Sequence, residues 1–263
     1  MSFGTTLRDW RTSRRHSQLS LATEAGVSQR HLSFLETGRA RPSREMVLHL
    51  SRVLDVPLRG RNDLLVAAGL APEYPSHRID DDAVAGVRTS LEFLLGAHEP
   101  NPAYVIDRLW NLVMANRAAQ RLTPLLLGTD PGSNGPPNLL RLTLRPGGLR
   151  DAIVNFEEAA AAIVDRLARE SRGDPTDREL ADLLDEVLAY PGVPAPGTSP
   201  GPDGGLLVPI HYRTEDVDLR LFTTISVVGT PRDVTLDELR LETLLPADRT
   251  SAGTLERLAV GDG

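Results

Sequence analysis

The sequence predicts an α+β protein in two parts: an N-terminal all-α block of five helices, then a C-terminal antiparallel five-stranded sheet with flanking helices. Three observations predict it. Residues 3–70 place apolar side chains at helical spacing, with a stop signal after each run. Two short apolar runs, Tyr104–Ile106 and Leu112–Ala115, flank a tight turn at Asp107-Arg108-Leu109 and read as a β-hairpin. Residues 206–245 carry three further strand-like runs.

Phe3, Leu7 and Trp10 have the i, i+4, i+7 spacing of one buried helix stripe. A second helix fits Gln18–Ala25 and a third Gln29–Thr37. The fourth fits Arg44–Leu54, stopped by Asp55-Val56-Pro57, and the fifth Arg59–Ala68, stopped by Gly69. The stretch 71–82 holds two prolines, a serine and three aspartates and reads as a linker, dividing a domain over 1–70 from one over 83–258. In the second part, a helical block from near Ala83 ends before Asn101-Pro102, and Asn116 caps a helix over Arg117–Leu122. Residues 128–138 form a Gly/Pro/Asn-rich loop, residues 151–190 read as helix broken near Gly173-Asp174-Pro175, and Pro191–Gly205 reads as a loop. The last strands are expected at Leu206–Arg213, Leu219–Val228 and Thr235–Leu245. In the middle one, Leu219, Leu221, Thr223, Ile225 and Val227 share one face, and Arg220, Phe222, Thr224 and Ser226 the other.

The net charge of −7 conceals a split. Residues 1–80 carry 12 arginines against 8 acidic residues, a net of +4; residues 81–263 carry 17 against 28, a net of −11. A basic head on an acidic body suits a chain of which one part meets phosphates. All 29 basic residues other than histidine are arginine, which makes planar two-pronged contacts to phosphate and guanine, but a general compositional bias accounts for the choice better, since arginine is the only base even in the acidic body. The chain has no cysteine, which removes disulfides and thiolate metal sites and fits a cytoplasmic location. No apolar run approaches the roughly 18 residues of a membrane span, and no apolar leader follows Met1-Ser2-Phe3-Gly4.

The densest signal runs from Ser17 to Ser43. Ser17 and Ser28 stand where they can cap the second and third helices. Small Ala22 lets those helices approach, Gly26 makes the turn, and Val27, Leu32 and Leu35 fill the space between them. Gln29, Arg30 and Ser33 are left on the outward face near the start of the third helix, where side chains reach base edges in a major groove. Gln pairs with adenine and Arg with guanine. Gly38 ends that helix, Arg39 and Arg41 sit on the following loop where phosphates would pass, and Gln18 is a further backbone contact.

This segment resembles the Xre/Cro family of phage-repressor-type helix-turn-helix regulators over residues 3–70, through the frame Ala22, Gly26-Val27-Ser28, Leu32, Leu35-Glu36, Gly38 and Pro42. The resemblance implies that Gln18 touches phosphate and that Gln29, Arg30 and Ser33 read bases. One residue departs from the pattern: Phe34 stands where the family usually has a polar residue, so that it either meets a thymine methyl or packs inward. The implied DNA-binding set is Gln18, Ser28, Gln29, Arg30, Ser33, Phe34, Arg39 and Arg41, on double-stranded DNA.

Strand, tight turn, strand and an Asn-capped helix, with three strands following later, is the chain order of a PAS-like sheet. The whole chain resembles the MmyB-like group of Xre regulators, on Tyr104–Asn116, Asn138-Leu139-Leu140-Arg141, and Phe222-Thr223-Thr224-Ile225 running on to Leu236. That resemblance implies an apolar cavity and a fatty-acid-like ligand. Strand alternation and the expected concave face offer Ile106, Leu112, Met114, Phe222 and Thr224 as lining, with His211 and Tyr212 as polar handles. Trp110 reads as an anchor of the hairpin.

Catalysis finds no constellation. The six histidines lack metal-ligand spacing on any one helix, and no phosphate loop or Gly-x-Ser-x-Gly elbow is present. Glu157 and Glu158 are neighbours that point about 100° apart on a helix. The expectation is a non-enzymatic, cytoplasmic transcriptional regulator that needs no cofactor or metal. It binds DNA as a homodimer and senses a small apolar ligand; the alternative is a DNA-tethered adaptor whose second domain binds a protein.

Overall fold

The computed structural model describes residues 2–127, 137–198 and 207–260. The chain forms two compact units: Met1–His77 with Arg169–Arg178 and Thr230–Asp237, and Arg78–Ala168 with Glu179–Gly229 and Glu238–Gly263. Among the described residues, helices and one five-stranded antiparallel sheet make an α+β fold.

The first unit opens with α1 (Phe3–Ser13), α2 (Gln18–Glu24), α3 (Gln29–Glu36), α4 (Arg44–Val53) and α5 (Leu58–Ala67). The first four starts and all five stops have a local cause. Ser2, Ser17, Ser28 and Ser43 cap the first four helices, their hydroxyls accepting from the backbone N–H groups of Thr5, Ser20, His31 and Met46 at 3.3, 3.0, 3.1 and 3.2 Å. The five helices end on Arg15, Gly26, Gly38, Asp55 and Gly69, all at positive φ between 47° and 77°. After each, the next N–H reaches back five residues: His16 to Arg11, Val27 to Ala22, Arg39 to Phe34, Val56 to Ser51 and Leu70 to Leu65. These are five Schellman endings, which satisfy carbonyls that would otherwise be orphaned. The expected stripe Phe3, Leu7 and Trp10 is buried, and with Leu21, Leu32, Leu35, Leu50 and Leu64 it forms the core of this unit.

Next along the chain come α6 (Ala85–Ala97), β1 (Ala103–Ile106), β2 (Leu112–Ala115), α7 (Arg117–Leu127), α8 (Leu139–Leu144), α9 (Phe156–Gly173) and α10 (Arg178–Leu188). Then follow β3 (Ile210–Arg213), β4 (Asp218–Val227), α11 (Val234–Glu238), β5 (Arg240–Pro246) and α12 (Arg249–Val260). The strand order is β2-β1-β5-β4-β3, all neighbours antiparallel. The predicted hairpin is present. Its turn is built on Asp107, whose Oδ1 accepts from the N–H groups of Leu109 and Asn111, both at 2.9 Å. Trp110 sits there at φ 65°, 5% exposed, with the Arg166 guanidinium 4.1 Å from its ring centroid.

Buried Asn116 does more than cap. Its Oδ1 accepts from Ala119 N at 2.9 Å and from Ala103 N at 3.0 Å; its Nδ2 donates to the carbonyls of Asn101 at 2.8 Å and Leu95 at 3.3 Å. One side chain thus ties α6, β1 and α7 together. Asn138 likewise caps α8 through Arg141 N at 3.1 Å and donates to Leu109 O at 2.6 Å.

Three sequence expectations are corrected. The last strand is not Thr235–Leu245: its first part is α11, because Asp233 Oδ1 accepts from Leu236 N at 3.2 Å and caps a helix there, and the strand runs Arg240–Pro246. The third strand begins at Ile210, after Pro209, which has no N–H to donate; Leu206 lies outside the described residues. The Asn116-capped helix runs on past Leu122 to Leu127. Of the two predicted loops, residues 128–136 and 199–205 lie outside the described residues.

In the first unit, α5 has no local cap: Pro57 precedes it without a side-chain hydrogen bond. Asp237 supplies one from 179 residues away, its Oδ2 accepting from Leu58 N at 2.9 Å. In the same segment Asp233 Oδ2 accepts from His77 N at 3.0 Å and lies 2.8 Å from His77 Nδ1, and Val234 N donates to Pro75 O at 2.8 Å.

Candidate nucleic-acid interface and ligand domain

Helices α2 and α3 are joined by the Gly26 turn and held by a buried ion cluster. Glu36, at the end of α3, has a fully buried carboxylate. Arg11 donates to it from Nε at 2.6 Å and from Nη2 at 3.1 Å, Gln18 from Nε2 at 2.8 Å and Arg8 from Nε at 3.5 Å. Burial alone would raise the Glu36 carboxyl; the donors from Arg11, Gln18 and Arg8 outweigh it and hold the group below its ordinary value. The cluster locks α1, α2 and α3 together and so sets the angle at which α3 is presented. Gly4 contributes from α1: a Cβ there would stand 2.3 Å from the Glu36 carbonyl oxygen, so only glycine permits this approach.

The predicted DNA-binding residues fall as follows. Ser28 is the cap of α3. Gln29 and Arg30 are exposed in its first turn, and Ser33 and Phe34 are half-exposed. The Arg30 guanidinium lies over the Phe34 ring, 5.2 Å from its centroid, so Phe34 turns toward Arg30 on the outer side of the helix. The Phe34 carbonyl also accepts from Arg39 N at 2.8 Å and Ala40 N at 3.1 Å, which anchors the loop that carries Arg39 and Arg41. Both of those arginines are exposed. Gln18, half-buried at the start of α2, donates from its amide to Glu36.

The arginines of this unit differ in their partners, and exposed Arg52 donates to the Leu48 carbonyl at 3.2 Å. Arg8, Arg11 and Arg44 are matched to the carboxylates of Glu36 and Glu73, and Arg14 and Arg61 are spent on backbone carbonyls. Among the described residues, Arg30, Arg39 and Arg41 have no carboxylate partner. Sequence reasoning found these three but not the Glu36 cluster or the demand on Gly4, because both join residues from separate helices and carry no local signal.

The seven predicted ligand residues do not share one surface. Through the strand register, Ile106 and Tyr212 lie on the face of Leu219 and Leu221, whereas Met114, His211, Phe222 and Thr224 lie on the other. Leu112 is paired with Ile106 across a register irregularity. Ile106 and Tyr212 are packed into the core, at 0% and 4% exposure, and burial raises the Tyr212 hydroxyl above its ordinary pKa. Leu112, Met114 and Phe222 are half-buried and Thr224 is exposed. His211 Nε2 lies 2.7 Å from Asp218 Oδ1, so one of the two polar handles is already engaged. A separate open cleft of about 600 Å³ is lined by Val154, Asn155, Phe156, Glu157, Glu158 and Ala161 with Pro194, Ala195 and Thr198, and none of the seven residues takes part in it. Among the described residues, no cluster of His, Asp or Glu has the arrangement of a metal site, and no helix is long and apolar enough to cross a membrane.

A capped helix-turn-helix with exposed arginines on and after its second helix, followed by a second unit built on an antiparallel sheet, defines a DNA-binding regulator with a separate regulatory domain. The comparisons agree. Residues 7–60 match the helix-turn-helix family model, and residues 87–258 match that of the MmyB-like transcription regulator ligand binding domain. The second match spans well over half of the chain, which belongs to the MmyB-like transcription regulators. These families are regulatory and not enzymatic. No curated protein matches the chain.

Proposed function

We propose that this protein binds a roughly palindromic double-stranded operator as a homodimer, through Gln18, Ser28, Gln29, Arg30, Ser33, Phe34, Arg39 and Arg41, and that a small apolar, fatty-acid-like ligand in its second domain modulates that binding. One observation carries the DNA half: Arg30, Arg39 and Arg41 stand on α3 and its following loop with no carboxylate partner among the described residues, while Arg8, Arg11 and Arg44 are engaged by Glu36 and Glu73. In this reading Arg30 and Gln29 meet base edges, Arg39, Arg41 and Gln18 meet phosphates, and the paired recognition helices stand about 34 Å apart.

The family match supports the ligand half, as does the order of two strands, helices and three strands expected of a PAS-like sheet. A covalent route for the response exists. The segment Thr230–Asp237 leaves β4, folds with the first unit, and re-enters β5. A ligand that shifts β4 against β5 therefore pulls on Asp233 and Asp237, which hold His77 and the first turn of α5. Of the residues expected at the ligand, Met114 and Phe222 are accessible without displacing packed core; Ile106 and Tyr212 are not. That packing is the observation that favours the second reading, a DNA-tethered adaptor binding a protein partner in place of a small molecule.

Native mass spectrometry beside the denatured protein tests both. Excess mass lost on denaturation supports the sensor and starts to identify its ligand; a clean mass, with no shift on adding long-chain fatty acids, removes it in favour of the adaptor. The same spectrum reads the dimer directly.

A further inference from the structure

The position where the chain departs from its family pattern is also the one where the recognition helix carries an arginine–aromatic contact. Arg30 and Phe34 are four residues apart, hence on one side of α3. The guanidinium lies over the ring at 5.2 Å, and no carboxylate competes for it among the described residues. An exposed arginine on a helix otherwise samples many rotamers and must be ordered when it meets DNA. Resting over the Phe34 ring, it has fewer rotamers to lose on meeting DNA. Phe34 itself is fixed at its backbone by the N–H groups of Arg39 and Ala40, so the platform is anchored to the end of the helix.

We propose that Phe34 is a positioning residue for Arg30, and that the stacked pair reads a thymine–guanine step in the major groove. The inference rests on the DNA-binding reading above. Arginine donates two parallel hydrogen bonds to guanine O6 and N7, and an aromatic edge makes apolar contact with the thymine methyl. Two side chains stacked on one another match two bases stacked on one another, so adjacent base pairs are read as a unit. Inward packing of Phe34 would leave Arg30 to read alone.

The test begins with selection from a randomised duplex library by the full-length protein, followed by competition binding on the enriched site. The expected site contains a thymine–guanine step at which replacing guanine weakens wild-type binding about 5- to 150-fold. Phe34→Leu keeps an apolar side chain and the helix but removes the ring; discrimination at that guanine should fall about two- to fivefold. Affinity for a scrambled duplex and its salt dependence should not change. Phe34→Tyr keeps the ring and should restore discrimination, which a merely structural role for Phe34 does not require. Replacing the thymine by deoxyuridine removes only the methyl, needs no variant, and should weaken wild-type binding about fourfold. An enriched site whose guanine preference is the same in Phe34→Leu, or whose affinity ignores the methyl, overturns the pairing while leaving DNA binding intact. Enrichment of no sequence at all overturns the DNA-reading surface itself, and the proposal with it.

Discussion

At the scale of single residues, the structure turns on a few side chains whose partners lie far along the chain. Glu36 is the clearest. Its carboxylate is buried against two arginines and a glutamine, so its removal leaves Arg11 facing a low-dielectric pocket with no counter-charge. Glu36→Ala should cost about 3 kcal/mol in urea unfolding of the first unit, and a loss under about 1 kcal/mol would show that the cluster is a surface ornament. The pH dependence has a definite sign. The folded carboxyl is held below its unfolded value, so its contribution is complete above the unfolded pKa, near 4.5, and is lost as pH falls through the folded value. Stability should therefore drop on acidification below about pH 4.5, and drop less steeply in Glu36→Gln. Two glycines make a second comparison. Gly26 needs φ +64° but has open space around its Cβ position, whereas Gly4 has none. Alanine at 26 should cost about 1–2 kcal/mol; alanine at 4 should cost more, because backbone must move.

At the scale of elements, α3 is positioned by its ends. The Schellman ending of α3 binds the Arg39 and Ala40 N–H groups to the Phe34 carbonyl, which places the cationic loop next to the outer helix face. Removing either loop arginine should lower affinity for all sequences alike. In Arg39→Ala and Arg41→Ala, the slope of log affinity against log salt should each time fall by about one, as read by fluorescence anisotropy on any duplex. An unchanged slope would take that arginine off the phosphate path. In the sheet unit, Asn116 performs the same service for α6, β1 and α7. Asn116→Ala removes a helix cap and strands the buried Ala103 N–H, and should lower the melting temperature by more than the loss of a surface cap such as Ser17.

At the scale of the molecule, the first unit is completed by chain that comes from the sheet region. Asp237 caps α5, and Asp233 holds His77. In Asp237→Ala, hydrogen exchange at the first turn of α5 should quicken while the sheet amides stay protected. Equal exchange in both proteins would mean that α5 starts as well on Pro57 alone. The same connection gives a regulator a means of linking its two parts without a long-range wire, since β4 and β5 flank the segment on either side.

The sequence by itself determined the parts whose causes are short-range. Serine caps, positive-φ endings and apolar stripes act within about five residues, so the five N-terminal helices, the Gly26 turn, the hairpin and the outward arginines were legible to within a residue or two. Charge counting found the basic head for the same reason, since it needs no geometry. Only the tertiary structure decided what depends on partners brought from afar. Glu36 takes its arginine from 25 residues away, and α5 takes its cap from 179 residues away. Asp233 turned the first part of an expected strand into α11 by capping it, a choice in which a side-chain acceptor outweighed the β-propensity of Val234 and Thr235. The expected ligand residues divided between two faces of the sheet because a side chain's face is set by strand register. Register is an agreement between strands, fixed here by β5 pairing with β4 and, across more than a hundred residues of chain, with β1, and no single strand carries it.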